Sequence, residues 1–231
     1  MADGRSLAPP SGPALPQSPK LVFPAPEDES SAVTEFRFLR KRLLQLSPAR
    51  VILVTSANRS EGKSVVAANL ALCYSEFGRA RAMLIEANFA RPSLAEVFGV
   101  VPPVCFAHQL LERQYTGHRQ AWRPAVVQTL AMLTVSPDSV VKASAAWPAF
   151  QAMITEIAEQ PYHDVIIIDG PPVLESADAS LIAQQADQVV LVSVAGQSRT
   201  GPLAEAAERL APASIAGAVL LSPDKTKKRR R

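Results

Sequence analysis

The feature that most constrains this chain is the segment 51–64, which reads VILVTSANRSEGKS. A run of apolar and β-branched residues leads into a short loop that ends in Gly62, Lys63 and Ser64, and a helical pattern follows. Strand, loop, GKS and helix in this order are the layout of a phosphate-binding P-loop. Successive backbone N–H groups of such a loop point at phosphate oxygens from a helix N-terminus. The segment therefore predicts a nucleotide-binding α/β domain.

The residues of this loop have separate predicted roles. Lys63 would bring its charge to the β- and γ-phosphates, and Ser64 would offer its hydroxyl to Mg²⁺. The full pattern is G-x-x-x-x-G-K-[ST], and Ala57 occupies its first glycine position. We expect the nucleotide-binding residues to form one continuous run: Ala57, Asn58, Arg59, Ser60, Glu61, Gly62, Lys63, Ser64 and Val65.

Composition divides the chain of 231 residues into three parts. Residues 1–31 contain seven prolines among serines and acidic residues, which predicts a disordered leader. Residues 32–222 are enough for one α/β domain with its own core, and 223–231 are predicted to be a disordered basic tail. No apolar run is long enough to span a bilayer, and the first residues have no apolar signal core. We therefore expect a cytoplasmic protein.

The net charge of +3 is unevenly distributed. Six of the last seven residues are Lys or Arg, so the rest of the chain has a formal charge of −3. A nucleic-acid-binding domain would spread basic residues over a folded face, so this distribution disfavours nucleic acid as a partner. The tail itself is predicted either to contact an anionic membrane surface or to remain solvated.

Apolar periodicity predicts alternating helices and strands. The predicted helices lie at about 33–46, 63–78, 105–113, 145–160 and 200–210. The predicted strands lie at about 50–55, 82–87, 130–136, 165–169, 187–194 and 216–221. This alternation indicates an α/β fold with a mostly parallel sheet and helices on both faces, in which ligands bind beyond the carboxyl ends of the strands.

Acidic residues end two of these strands. Asp169 follows the apolar run 165–168 and precedes Gly-Pro-Pro, which is the Walker B position in a P-loop fold. There it would hold Mg²⁺ directly or through water, although it could instead cap the next segment. Glu86 and Asn88 follow the second strand. The sequence thus predicts carboxylates near Lys63 at one edge of the sheet.

Five blocks of the sequence, taken in order, resemble the bacterial tyrosine kinases (BY-kinases). The resemblance implies a P-loop NTPase-like fold related to MinD and ParA, although those proteins carry a signature lysine where this chain has Asn58. It also implies the CpsD/CapB-type kinase module that works beside a membrane co-polymerase in capsular and exopolysaccharide synthesis. The blocks are 35–40, 51–72, 82–94, 165–179 and 189–206.

The resemblance also implies ligands and site residues. The cofactors would be ATP or ADP with Mg²⁺, the catalytic residues Glu86 and Asp169, and the metal ligands Ser64, Glu86 and Asp169. The family has an aspartate at the position of Glu86, and that aspartate is linked to Mg²⁺ and to activation of the attacking hydroxyl. Glu86 keeps that carboxylate but is one methylene longer.

Several positions depart from the family pattern. The P-loop usually reads A-x-P-G-E-G-K-[ST], and Ser60 replaces a glycine, so the serine costs on the order of 1 kcal/mol if that position needs a positive φ. The family motif D-x-D-x-R reads Glu86, Asn88 and Ala90 here. Leu221 stands where the family often has an asparagine that reads adenine.

These departures leave three functions open. The favoured one is a catalytically weak or inactive regulatory partner of a membrane polysaccharide co-polymerase. The alternative is an active ATP-dependent tyrosine kinase. Its substrates would be other proteins, because Tyr74, Tyr115 and Tyr162 form no C-terminal cluster that the chain could phosphorylate on itself. The third is a former P-loop that binds nothing.

The resemblance suggests partners as well. The helix at 33–46 resembles the family's oligomerisation block at Arg37, Leu39 and Arg40, so a homo-oligomer is one expectation. The alternative is an amphipathic helix packed on its own domain. Together with the basic tail, the resemblance predicts a cytoplasmic protein that is peripheral at the inner face of the cell membrane.

Overall fold

A computed structural model describes residues 18, 20–23, 30–117, 121–136, 139 and 143–222. The helices are α1 Ser31–Leu46, α2 Lys63–Ser75, α3 Leu94–Phe98, α4 Phe106–Thr116, α5 Ala143–Glu159, α6 Asp178–Ala183 and α7 Thr200–Leu210. The strands are β1 Val51–Ser56, β2 Ala82–Glu86, β3 Ala125–Val127, β4 Leu130–Leu133, β5 Val165–Asp169, β6 Gln188–Val194 and β7 Ile215–Leu221.

The strands form one seven-stranded sheet in the order β3-β4-β2-β5-β1-β6-β7. All neighbouring strands are parallel except β3 and β4, which are antiparallel at one edge. Every residue of β1, β2 and β5 is buried, as expected for parallel strands covered on both faces. The predicted α/β class and mostly parallel sheet are confirmed. The central position of β1 and β5 places the P-loop and Asp169 side by side.

The core lies in two layers, one on each face of the sheet. Helices α1, α2 and α3 cover one face, where Val33, Leu70 and Leu94 are buried with Ile52 of β1. Helices α4 to α7 cover the other face with a second apolar cluster, in which Phe106 and Phe150 lie 6.1 Å apart between ring centroids. Helices on both faces are what the alternating sequence pattern predicted.

The leader contains an ordered part that the sequence analysis missed. Leu21 and Phe23 are only 6% and 7% exposed, and Phe23 packs edge-on against Phe36 of α1 at 6.1 Å. The prediction of disorder throughout residues 1–31 is therefore wrong at 20–23, because an apolar triplet among the prolines buries its side chains against α1 and α2. The basic tail at 223–231 lies outside the described residues.

The end of α2 also differs from the prediction. The sequence suggested a helix running to Gly78, but α2 ends at Ser75 and a 3₁₀ turn covers Glu76–Gly78. Glu76 is buried there, with its Oε1 2.5 Å from Arg37 Nη2 and its Oε2 3.7 Å from Arg40 Nη1. The two arginines of the predicted oligomerisation helix thus make ion pairs within their own domain.

Candidate functional site

The P-loop lies at the carboxyl end of β1 and opens directly into α2. Gly62 is the residue before the helix and has a left-handed backbone with φ of 82°. A Cβ at this position would lie 2.5 Å from Leu221 Cδ1, so the leucine side chain would have to move, and the left-handed backbone would strain any residue other than glycine. The glycine of GKS is therefore required to start α2 with its N–H groups free.

Ser60 also has a left-handed backbone, with φ of 62°. The condition under which a serine at this position is strained is therefore met. A side chain with a Cβ costs about 1–2 kcal/mol in this region relative to the right-handed one. The serine therefore strains the P-loop at this position.

Glu61 supports the loop from behind. Its side chain is buried, and its Oε2 accepts a hydrogen bond from the Asn58 backbone N–H at 2.8 Å. Its Oε1 accepts a hydrogen bond from the Ser198 hydroxyl, which lies in the loop between β6 and α7. Asn58 and Glu61 therefore shape the P-loop and connect it to the next strand end.

Glu175 holds the tip of the P-loop. Its Oε1 accepts a hydrogen bond from the Arg59 backbone N–H at 3.0 Å and lies 3.5 Å from Arg59 Nε. The two side chains are 57% and 37% exposed, so this ion pair contributes little to stability. Sequence analysis missed Glu175, because nothing in the sequence connects it to a loop more than a hundred positions earlier.

An open cavity of about 510 Å³ lies in front of the P-loop. Six of the nine predicted nucleotide-binding residues line it, and they are Arg59, Ser60, Gly62, Lys63, Ser64 and Val65. The facing wall comes from the loop after β2, including Asn88, Ala90 and Arg91, and from Pro171 and Pro172 after β5. The cavity is thus built from three neighbouring strand ends.

Asp169 lies completely buried under this cavity, next to Lys63 and Ser64. Neither carboxylate oxygen makes a hydrogen bond of normal geometry with any part of the chain that the structure describes. Burial raises the pKa of Asp169 to about 6, although the Lys63 charge and the Ser64 hydroxyl oppose that rise. A buried carboxylate without a donor is costly, so a cation bound beside Asp169 would offset that cost.

Glu86 has a different environment, although it is buried just as completely. Its Oε1 accepts hydrogen bonds from the backbone N–H groups of Ser93 and Leu94, and its Oε2 accepts one from Val135 at 2.8 Å. Burial, aided by the nearby Asp169 charge, raises the pKa of Glu86 to about 7. Both of its oxygens are therefore used to hold the start of α3 and the segment after β4.

The loop after β2 carries the other departures from the family motif. Asn88 Nδ2 donates to the Arg91 carbonyl at 2.9 Å, and the Arg91 N–H donates back to the Asn88 carbonyl at 3.1 Å. Ala90, at the tip of this turn, is exposed and offers no cation. Arg91 is the arginine that reaches the cavity wall from this loop.

Comparison with known proteins agrees with this geometry. The chain is 29% identical over 210 residues to the tyrosine-protein kinase YwqD of Bacillus subtilis (strain 168), covering 86% of this chain and 84% of that protein. The crystal structure of the chimerical protein CapA2B2 superposes with a TM-score of 0.75 at 22% identity, covering 91% and 93% of the two chains. This chain is a relative of the bacterial tyrosine kinases. No protein-family model matches its sequence.

The fold of this tyrosine-kinase relative is the P-loop NTPase fold. The septum site-determining protein MinD of Pyrococcus horikoshii, solved in complex with Mg-ADP, superposes with a TM-score of 0.60 at 20% identity. That likeness covers 74% of this chain and 69% of MinD. The predicted relationship to the MinD-type fold is therefore confirmed.

Leu221 is apolar, at the position where the resemblance implies an asparagine that reads adenine. Leu221 ends β7 and packs its side chain against Gly62. A leucine has no group that can donate to or accept from a base.

Proposed function

We propose that this chain binds a magnesium nucleotide weakly and acts as a catalytically weak or inactive regulatory partner of a membrane polysaccharide co-polymerase. Its process would be the synthesis or export of capsule or exopolysaccharide. The observation that carries the proposal is the contrast between two buried carboxylates. Asp169 is unpaired beside Lys63 and Ser64, whereas Glu86 is bound to three backbone N–H groups.

The residues present fit ATP or ADP with Mg²⁺. Protein sites for Mg²⁺ commonly supply one or two carboxylates, and phosphates and water complete the octahedron. The described residues contain no group of three or more His, Cys, Asp or Glu side chains that could hold a metal alone. Ser64 and Asp169 would hold the ion, and Lys63 with the N–H groups at the start of α2 would hold the phosphates. Bound Mg²⁺ neutralises phosphate charge.

The same geometry supports weak catalysis. Phosphoryl transfer to a hydroxyl needs a group that positions the acceptor and takes its proton. The lone pairs of Glu86 already accept backbone hydrogen bonds, and Asn88 cannot become an anion. Ala90 supplies no charge for the transferred group. The bound nucleotide would therefore serve mainly to regulate the protein and not as a phosphate donor.

One observation favours the active-kinase alternative. The pKa of Glu86 is raised to about 7, which is the range of an effective general base at neutral pH. Tyr115 and Tyr162 are 79% and 66% exposed, so acceptors on this chain's own surface would also be accessible. If Glu86 were released from its backbone donors, it could take the proton of a tyrosine hydroxyl.

Transfer of labelled phosphate from Mg-ATP to an added tyrosine polymer separates these two functions. We expect incorporation near background for the unmodified chain and for Asp169→Ala. Robust incorporation by the unmodified chain that disappears in Asp169→Ala would establish the active kinase instead. Replacement of both Tyr115 and Tyr162 by Phe identifies any signal that comes from the chain itself.

The basic tail supports the proposed membrane location. Near an anionic leaflet each Lys or Arg contributes about 1 kcal/mol, and the effect falls off within a Debye length. Among the described residues, no helix is long and apolar enough to cross a membrane. Because the tail would bind through its charge, co-sedimentation with vesicles should require anionic lipid, weaken with salt and disappear when residues 225–231 are deleted. Equal binding by the truncated chain would remove this role from the tail.

A further inference from the structure

We propose that Lys20, which comes from the leader, is a phosphate ligand of the nucleotide cavity. The inference rests on the proposed function, because it concerns the same cavity. Its starting observation is that Lys20 lines this cavity together with Lys63, Arg91 and Ser93, although it lies 37 positions before Ala57, where the P-loop begins. No motif of the sequence points to it.

The segment that carries Lys20 is held in place by apolar burial. Leu21 and Phe23, on either side of Val22, are buried in the core between the sheet and helices α1 and α2. The Leu21 N–H also donates to the Ser18 carbonyl at 3.0 Å, which forms a turn around Lys20. We call residues 20–23 the strap, and its backbone has a defined position beside the cavity.

Asn69 fixes the strap to the phosphate-binding helix. This side chain is fully buried on α2, the helix that begins at Lys63. Its Oδ1 accepts from the Val22 N–H at 2.7 Å, and its Nδ2 donates to the Lys20 carbonyl at 2.9 Å and to the Val65 carbonyl at 2.8 Å. The amide therefore joins the strap to the first turn of α2, where the phosphates would bind.

The Lys20 ammonium forms an exposed ion pair with Glu96, which a phosphate group could replace. Its Nζ lies 2.8 Å from Glu96 Oε1 on α3, and the charge of Lys20 lowers the pKa of Glu96. The side chains are 47% and 72% exposed, and ion pairs this exposed contribute little. A phosphate group carries more charge than a carboxylate, so a bound nucleotide would compete with Glu96 for Lys20.

Lys20 would add to the positive charge that Lys63, Arg59 and Arg91 bring to the cavity. Lys63 lies beside the Asp169 carboxylate, and Arg59 pairs with Glu175. Ala90 leaves the position of the family arginine without a cation. Lys20 reaches the same cavity from the segment before α1, and it would contact a phosphate group of the nucleotide.

Calorimetry with a magnesium complex of a non-hydrolysable ATP analogue tests this inference. Lys20→Ala should weaken binding about five- to tenfold, because a charge-assisted hydrogen bond is lost at a partly exposed site. Lys20→Arg should keep affinity within about twofold. The matched control is Lys41→Ala, which removes the same charge from an exposed position on α1 and should leave the affinity unchanged.

A second variant separates direct contact from a general charge effect. Glu96→Gln should tighten binding about two- to threefold in the unmodified chain, because it frees Lys20, and should have no effect once Lys20 is alanine. Equal affinities for Lys20→Ala and Lys41→Ala would overturn the inference while the proposed function stands. Failure of the unmodified chain to bind the analogue at all would overturn both.

Discussion

Glu86 and Asp169 occupy paired positions on the adjacent parallel strands β2 and β5, and both side chains are completely buried. Only Glu86 accepts hydrogen bonds from the backbone, while both oxygens of Asp169 lack a donor among the described residues. Burial raises the pKa of Glu86, and the like charge of Asp169 adds to that rise. One member of the pair is therefore structural, and the other is available to a cation.

This pair predicts a pH dependence of stability. The pKa values in the folded state, about 7 for Glu86 and about 6 for Asp169, lie above their ordinary values of 4.5 and 3.8. The folded state therefore binds these protons more tightly, so the stabilisation is complete below the ordinary pKa values and is lost as pH rises to about 7. Each group contributes a slope of at most about 1.4 kcal/mol per pH unit.

Urea unfolding at several pH values between about 4 and 8 measures this slope. Asp169→Asn should flatten the dependence, because the amide does not titrate. The comparison with the unmodified chain removes the opposite contribution of His163, whose pKa is lowered by burial. Identical slopes for the two proteins would show that Asp169 titrates normally in the folded state.

The backbone of Ser60 predicts a stabilising substitution. Ser60→Gly should raise the free energy of unfolding by about 0.5–1 kcal/mol, because relief of the left-handed strain exceeds the added entropy of the unfolded glycine. Ser60→Ala keeps a Cβ at the same φ and serves as the control, with an expected change near zero. A destabilising Ser60→Gly in urea titrations would contradict this account of the loop.

The loop after β2 predicts how activity can be restored. Asn88→Asp together with Ala90→Arg should raise tyrosine phosphorylation above background, since an anion and a cation return to the cavity wall. Adding Glu86→Asp should raise it further but lower stability, because the shorter side chain must reach the same backbone N–H groups of Leu94 and Val135. Thermal unfolding measured beside the kinase assay separates the two effects. No gain in either folded variant would exclude these positions as the cause of weak catalysis.

The ion pairs of Glu76 predict what α1 does. Glu76→Gln should destabilise the fold by about 2–3 kcal/mol, because a neutral amide replaces the buried carboxylate that forms ion pairs with Arg37 and Arg40. Phe38→Ser, at a side chain that is 61% exposed, should leave stability unchanged and weaken any self-association through α1. Sedimentation of the unmodified chain and of Phe38→Ser tests this. A monomer in both, with and without nucleotide, would exclude self-association.

The sequence predicted the sheet because its buried strands are continuous apolar runs with helical periods between them. It did not predict β3 or α3, whose three and five residues are too short to show a period. Disorder was predicted at Leu21 and Phe23 because the segment 1–31 contains seven prolines and only one run of three apolar residues, 21–23. Burial against α1 and α2 overrides that composition.

The candidate site was predictable where a motif fixes residues to strand ends. Lys63, Ser64 and Asp169 lie together because GKS follows β1 and the acidic residue follows the neighbouring β5. Glu175 and Asn69 were not predictable, since each contacts a segment distant in sequence through a single hydrogen-bonding side chain. The hydrogen bonds that Glu86 accepts from backbone N–H groups could not be predicted either. They depend on the positions of α3 and of the segment after β4 in the folded chain.

The most direct test is calorimetric titration of Mg-ATP and Mg-ADP into the unmodified chain and into Lys63→Ala, with and without Mg²⁺. The account predicts weak binding that depends on Mg²⁺ and is abolished in Lys63→Ala, because the loss of a charged phosphate ligand typically costs a few kcal/mol. Equal affinities of the two proteins would contradict the assigned role of Lys63. No binding by the unmodified chain at millimolar nucleotide would show that this P-loop no longer holds a ligand.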